Sequence, residues 1–284
     1  MVLESIIIPS EMERHPKRMF YVGFIYAAVG LLLGYSIFGK YASLASIFLT
    51  TMPLIVIIYR AFELEEKKDI IIHGEFSLMK EHQYVLSFFL FLFVGMVVSY
   101  AVCFSLLPSG VVENLFSSQI ETIESITSGD IDVTGASYKL SSLEAIFFTN
   151  VRVWLFCILF SFLYGSGAIF ILAWNASVIG VAAGNILRRI ISSYAGADHY
   201  TRIYNYFAAF PMSFSYLIHG IPEVSAYFLG ALGGGIISVA VIKHDFRSRN
   251  FRKVLVDSVD LLILSFVVLF VAALIEVYVT PLTF

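Results

Sequence analysis

Six long apolar runs, residues 19–38, 44–62, 84–107, 151–187, 206–242 and 254–279, dictate what this chain can become. A helix needs about 20 consecutive apolar residues to cross the hydrocarbon of a bilayer. Within that layer every backbone N–H and C=O must be paired inside the protein, and runs without strict alternation do so as helices. The runs therefore predict an all-α, polytopic integral membrane bundle. Composition agrees: 59% of residues are apolar and 14% charged, where a soluble domain carries about a quarter charged. A net charge of −3 offers no basic surface to nucleic acid. Cys103 and Cys157 both lie inside apolar runs, as buried packing residues do. The first run is too long for the apolar region of a cleaved signal and leads straight into the second, so it reads as a retained helix.

Lysine and arginine give the orientation, because positive residues in short loops stay cytoplasmic. Arg14, Lys17 and Arg18 precede the first run, and Arg60, Lys67, Lys68 and Lys80 follow the second. Arg188, Arg189 and Arg202 follow the fourth run, and Lys243, Arg247, Arg249, Arg252 and Lys253 the fifth. Residues 108–149 hold one lysine, Lys139, against Glu113, Glu121, Glu124, Asp130, Asp132 and Glu144. All four basic segments are thus expected in the cytoplasm as solvated faces, and the acidic loop outside. On that parity, 151–187 crosses once with a bend at Gly165-Ser166-Gly167. Residues 206–242 form a hairpin broken at His219-Gly220-Ile221-Pro222-Glu223, where glycine ends one helix and proline starts the next. The expectation is seven crossings in the cell membrane, with a cytoplasmic N-terminus and an external C-terminus.

In the external loop, the spacing of Val112, Leu115, Phe116, Ile120, Ile123 and Ile126 predicts a surface helix over 111–126. Ser128-Gly129-Asp130 and Gly135-Ala136-Ser137 read as turns. Ser141-Ser142-Leu143-Glu144 reads as a capping box opening an interfacial helix over 143–148.

Five pieces then occur in a telling order: Ile146-Phe147-Phe148-Thr149-Asn150-Val151-Arg152; Gly165 and Gly167; Trp174-Asn175-Ala176-Ser177-Val178-Ile179-Gly180; His219-Gly220-Ile221-Pro222-Glu223; and Ala272-Ala273-Leu274-Ile275-Glu276 with Thr280-Pro281. Together they resemble the stage II sporulation protein M family over about residues 84–284. The resemblance implies a five-span membrane domain there, preceded over 1–83 by a cytoplasmic tail, a helical hairpin and a cytoplasmic loop that the short family form lacks. It also implies a membrane scaffold or adaptor, since in spore-forming bacteria the namesake holds two peptidoglycan-degrading partners at the septal membrane during engulfment.

Polar groups in a bilayer are costly and mark a site or a structural pair. Counting along the helices gathers Asn150, Arg152, His219, Glu223 and Glu276 towards the outer leaflet, with Asn175 nearer the inner one. Arg152 and Glu276 are expected to pair. His219, Glu223 and Glu276 resemble a zinc-type ligand set, although Gly220 and Pro222 interrupt the four-residue spacing of the first two. The same residues also suit a hydrogen-bonded plug that satisfies a broken helix, or a ligand or partner pocket. Asn175 reads as an interhelical hydrogen bonder. Gly165, Gly167, Gly180, Gly184, Gly230 and Gly234 read as close-packing positions, open to homo-oligomer contacts as well as internal ones.

Three functions are compatible with these features. A scaffold would recruit membrane or extracytoplasmic protein partners through the external loop and span surfaces, with the lipid bilayer as its other partner. A small-molecule or ion transporter or channel would need broken helices meeting near mid-membrane. An intramembrane metal-dependent enzyme would have to use the His219 cluster, because no other catalytic constellation is present.

Overall fold

The computed structural model describes residues 15–72, 75–127, 136–194, 196, 198–213, 217–244 and 246–279. Among these residues there is no strand, and ten α-helices follow one another. They are α1 (Arg18–Phe38), α2 (Ala42–Ile71), α3 (Glu75–Leu106), α4 (Ser109–Leu115), α5 (Ser117–Thr127), α6 (Ala136–Tyr164), α7 (Ala168–Ser193), α8 (His199–Ser213), α9 (Leu217–Lys243) and α10 (Arg249–Tyr278). Six helical stretches are long and apolar enough to cross a membrane. The first, Arg18–Ile71, folds back on itself at the 3-10 turn Gly39–Tyr41, so α1 and α2 lie antiparallel. Gly30 of α1 abuts Thr50, and Gly34 abuts Ser46. Seven helices, α1, α2, α3, α6, α7, α9 and α10, thus pass through the bundle.

That register sets Arg18 level with Phe62, so residues 63–71 of α2 project past the start of α1 and past the end of their own apolar run, 44–62. The turns of α3 around His82 project with them, as His82 bonds Glu65.

Two runs cross differently from expectation. Residues 151–187 do not make one bent crossing. Gly165 takes φ +69°, a conformation that excludes most side chains, and a Cβ there would also press on the Tyr59 ring. The chain reverses at this point, and α6 and α7 become antiparallel. Residues 206–242 do not form a hairpin either. α9 runs unbroken through Gly220 and Pro222, so the proline forfeits its one backbone bond in the second turn without ending the helix. α8 has 15 residues, too few to cross. The two departures offset each other in the count.

Apolar burial gives little net drive in lipid, so close backbone approach must hold such helices together. α7 runs alongside α3 in the same direction. A Cβ at Gly180 would lie 2.8 Å from the Val97 carbonyl oxygen, and one at Gly184 would lie 2.9 Å from that of Ala101. α9 runs alongside α6 in the same way, with Gly230 against Trp154 and Gly234 2.7 Å from the Ile158 carbonyl oxygen. Gly167 sits against the Phe160 carbonyl at the turn. Phe89 of α3 stacks on Phe228 of α9 with centroids 5.2 Å apart, and Phe62 of α2 meets Phe89 edge-on at 5.9 Å.

The direction of α7 corrects the expected sidedness of Arg188, Arg189 and Arg202. Arg188 Nη1 donates to the carbonyls of Phe104 (3.0 Å) and Leu107 (3.1 Å), and Nη2 to Ser109 Oγ (2.7 Å). It therefore stands at the same end as the acidic segment, not at the end of Lys243. Its charge caps the carbonyls closing α3, so it does not act as a free loop cation. The next segment follows at this end: Asp198 opens α8 by accepting from the Thr201 hydroxyl (2.6 Å) and amide (3.1 Å), which hold its carboxyl below the usual range.

The acidic segment is helical and docked. It forms two helices, α4 and α5, and Gln119 of α5, 1% exposed, ties them to the bundle. Ser43 Oγ of α2 donates to Gln119 Oε1 (2.8 Å), and Gln119 Nε2 donates to Ser177 Oγ of α7 (3.1 Å). Of the turns expected beyond it, residues 128–135 lie outside the described residues. Ala136 and Ser137 open α6, which places Ser141 to Glu144 inside that helix rather than at its cap.

Candidate functional site

Three helices bring polar residues together near the Ser109 end of the bundle. α6 contributes Asn150, 8% exposed; α9 contributes Glu223 and Tyr227; α10 contributes Glu276. Tyr227 Oη donates to Glu223 Oε1 at 2.6 Å, a four-residue pair on one face of α9. Asn150 and Glu276 both lie near enough to act electrostatically on the Glu223 carboxyl. Asn150 Nδ2 is buried and acts as a donor toward the Glu223 carboxyl. Below this group Trp154 Nε1 donates to Ser265 Oγ at 2.9 Å, linking α6 to α10.

Asn150, Glu223 and Glu276 thus come together, and Arg152 and Asn175 do not join them. Arg152 is exposed and forms no ion pair with Glu276. Two residues turn a helix by about 200°, so Asn150 and Arg152 cannot both face the bundle interior. Asn175 turns back on its own helix, donating to the Ile171 carbonyl at 2.8 Å. The side chain of His219 lies outside the described residues, and so does the ligand set built on it. Among the described residues no three His, Cys, Asp or Glu side chains are gathered to hold a metal ion.

Sequence reasoning passed over Tyr227, although its spacing from Glu223 was the signal. It also passed over a cavity of about 680 Å³ at the Ser109 end, between α3, α5 and α7. Phe104, Ile120, Ile123 and Val181 line it, with Glu124, Asn185 and Arg189. The greatest departure lies at the opposite end. Glu65, Glu66 and Asp69 of α2 and His82 of α3, read as part of solvated faces, are at most 3% exposed. Glu65 and Asp69 are four apart, a spacing that puts both on one helix face.

No curated protein and no solved structure matches the chain. Residues 85–281, from the apolar part of α3 to just past α10, match the family model for stage II sporulation protein M, and the chain belongs to that family.

Proposed function

We propose that this protein is a membrane scaffold whose partner proteins bind along the face formed by α6 and α10. The observation behind this reading is the uneven burial of the spans. Of the most apolar window of each helix, 17% is buried in α6 and 33% in α10, against 78% in α9. Leu155, Phe156, Leu159 and Phe162 stand exposed on α6, and Ile263, Phe266 and Val267 stand exposed on α10, which packs on α6 through Phe147, Trp154 and Phe266. Arg152 stands exposed on the same helix. A guanidinium in this position is costly unless an acidic group, from a lipid phosphate or a partner, meets it. Family membership supports the same reading, since the resemblance implies a scaffold. We assign the Lys243 end to the cytoplasm, because Lys17, Arg18, Arg60, Lys67, Lys68 and Lys80 share it, which leaves the Glu223 cluster and the C-terminal end of α10 on the outer side.

Affinity capture from native membranes tests the proposal, comparing wild type with a Leu155→Ala/Leu159→Ala/Arg152→Gln variant matched for expression and melting temperature. Wild type should enrich a discrete membrane protein that the variant loses. An identical set of proteins from both would refute it.

A further inference from the structure

Where α2 projects beyond α1, it enters a buried polar cluster that belongs to neither the outer site nor the α6–α10 face. His82 Nδ1 of α3 lies 2.6 Å from Glu65 Oε2, and Lys68 Nζ lies 2.6 Å from Glu65 Oε1. Lys68 also reaches towards Glu81 of α3 at 4.0 Å. Glu66 meets His244, just past α9, and Lys243, whose ammonium also pairs with Glu63 at 2.8 Å. Lys253 of α10 donates to the carbonyls of Ile70 (3.3 Å) and Ile72 (2.6 Å), which close α2.

Asp69 is left over. It is 0% exposed, and neither of its carboxylate oxygens has a hydrogen-bond partner among the described residues. His82 Nε2, equally buried, has none either. The two stand 3.4 Å apart, Nε2 to Oδ1. The charges that act on Asp69 come from Asp257 of α10 and from Glu65 and Glu66, with Lys253 as the opposing cation. An ionised carboxylate held dry, unbonded and among three others is strongly disfavoured.

We propose that Asp69 and His82 form a proton-binding site, and that the bound proton fastens the α1–α2 hairpin to the rest of the bundle. The proton supplies the donor that this pair lacks. It turns two orphan atoms into one hydrogen bond and removes a like charge from the group. Asp69 precedes the family-matched residues, whereas Lys243, His244, Lys253 and Asp257 lie within them. The cluster is thus the seam between the added hairpin and the family domain.

The sign of the pH dependence follows. Burial first, then Asp257 and Glu65, push the Asp69 carboxyl up to about 8 from its ordinary 3.8, with Lys253 opposing. Above its ordinary value the undocked or unfolded chain has already lost this proton, while the docked chain keeps it. Docking therefore weakens as pH rises across that interval, by up to tenfold per unit, and levels off above about 8.

The full-length chain in detergent gives the test, with thermal unfolding followed by tryptophan fluorescence between pH 5 and pH 9. The wild-type melting temperature should fall towards pH 8 and then level. Asp69→Asn, which keeps the shape without the charge, should flatten that fall and melt above wild type at pH 8. Hydrogen exchange of the 65–71 amides, corrected for intrinsic rate, should quicken with pH in wild type only, which gives a readout even if the variant is weakened overall. Equal pH dependence in wild type and Asp69→Asn would overturn the proposal. So would a melting temperature that drops on adding a chelator at fixed pH, since a metal would then hold the pair.

Discussion

Replacing Gln119 with leucine tests whether the acidic segment is part of the bundle or a loop laid over it. The substitution nearly preserves volume and removes both links that this residue makes, to Ser43 and to Ser177. Ser177 also donates to the Trp174 carbonyl at 2.7 Å, so it loses only an incoming bond. Ser43 loses the acceptor for its hydroxyl and keeps only the amide of Ser118, at 3.3 Å, as a donor to it. Two neutral hydrogen bonds contribute about 1 kcal/mol each, and a buried hydroxyl left without an acceptor costs about 1–3 kcal/mol. Allowing for the added apolar contact, Gln119→Leu should cost about 2–3 kcal/mol, or roughly 4–10 °C in melting temperature for a chain of this size. Thermal unfolding in detergent is the assay, with Ser43→Ala and the double variant completing a cycle. The double variant should be little worse than Gln119→Leu alone, because the partners are removed together. An unchanged melting temperature for Gln119→Leu, or fully additive losses, would refute the bridge.

Arg188→Leu should cost about 2–3 kcal/mol of stability in the same assay, since it strips a charged donor from the carbonyls closing α3, and Arg188→Lys should recover only part because lysine cannot reproduce the fork. Cysteines placed at Ser109 and Arg189, in a background lacking Cys103 and Cys157, should react from one side of the membrane and a cysteine at Arg247 from the other; labelling of 189 with 247 would sink the described course of α7. Gly184→Leu should destabilise by at least about 1–3 kcal/mol through overpacking against α3, whereas Gly110→Ala, which meets nothing within 4 Å, should be neutral or stabilising by up to about 1 kcal/mol.

Hydropathy carried most of the architecture. The apolar runs of α1, α2, α3 and α10 were legible almost to their ends, because bilayer thickness leaves little choice of length. Parity was harder. Arginine counts assume that each cation lies free in a loop, but Arg188 is engaged by three acceptors, and nothing in its local sequence announces that. Gly165-Ser166-Gly167 was seen as a bend, yet only the positive φ of Gly165 and its contact with Tyr59 make it a full reversal. Pro222 looked like a break because proline is read from a helix interior. In the second turn of α9 it leaves the helix intact. Within the outer cluster, Asn150, Glu223 and Glu276 were legible as misplaced polarity, while Arg152 could have been excluded from the angle between residues 150 and 152. The buried acids of α2 were illegible for another reason: a run such as Glu63-Leu64-Glu65-Glu66-Lys67-Lys68-Asp69 reads as solvated until its neighbours from α3, α9 and α10 are known.

Those neighbours also explain why the hairpin belongs to the domain it precedes. Gly235 of α9 falls within the family-matched residues, yet the space left by its missing side chain is filled by the Phe62 ring of α2. Gly95 of α3 likewise lies in that region, and it accepts the backbone of α1 at Phe20, while Gly23 of α1 returns the contact to the Leu92 carbonyl. Cavities of this shape would be open in a chain without α1 and α2. The hairpin is then fixed at three levels: by charge and a proton at the Lys243 end, by glycine-mediated packing in the middle, and by Ser43 with Gln119 at the Ser109 end. A hairpin so held covers α3 and the inner face of α9 and leaves little of either for another protein. The flanks of α6 and α10 stay exposed, and they are the surface we propose for a partner.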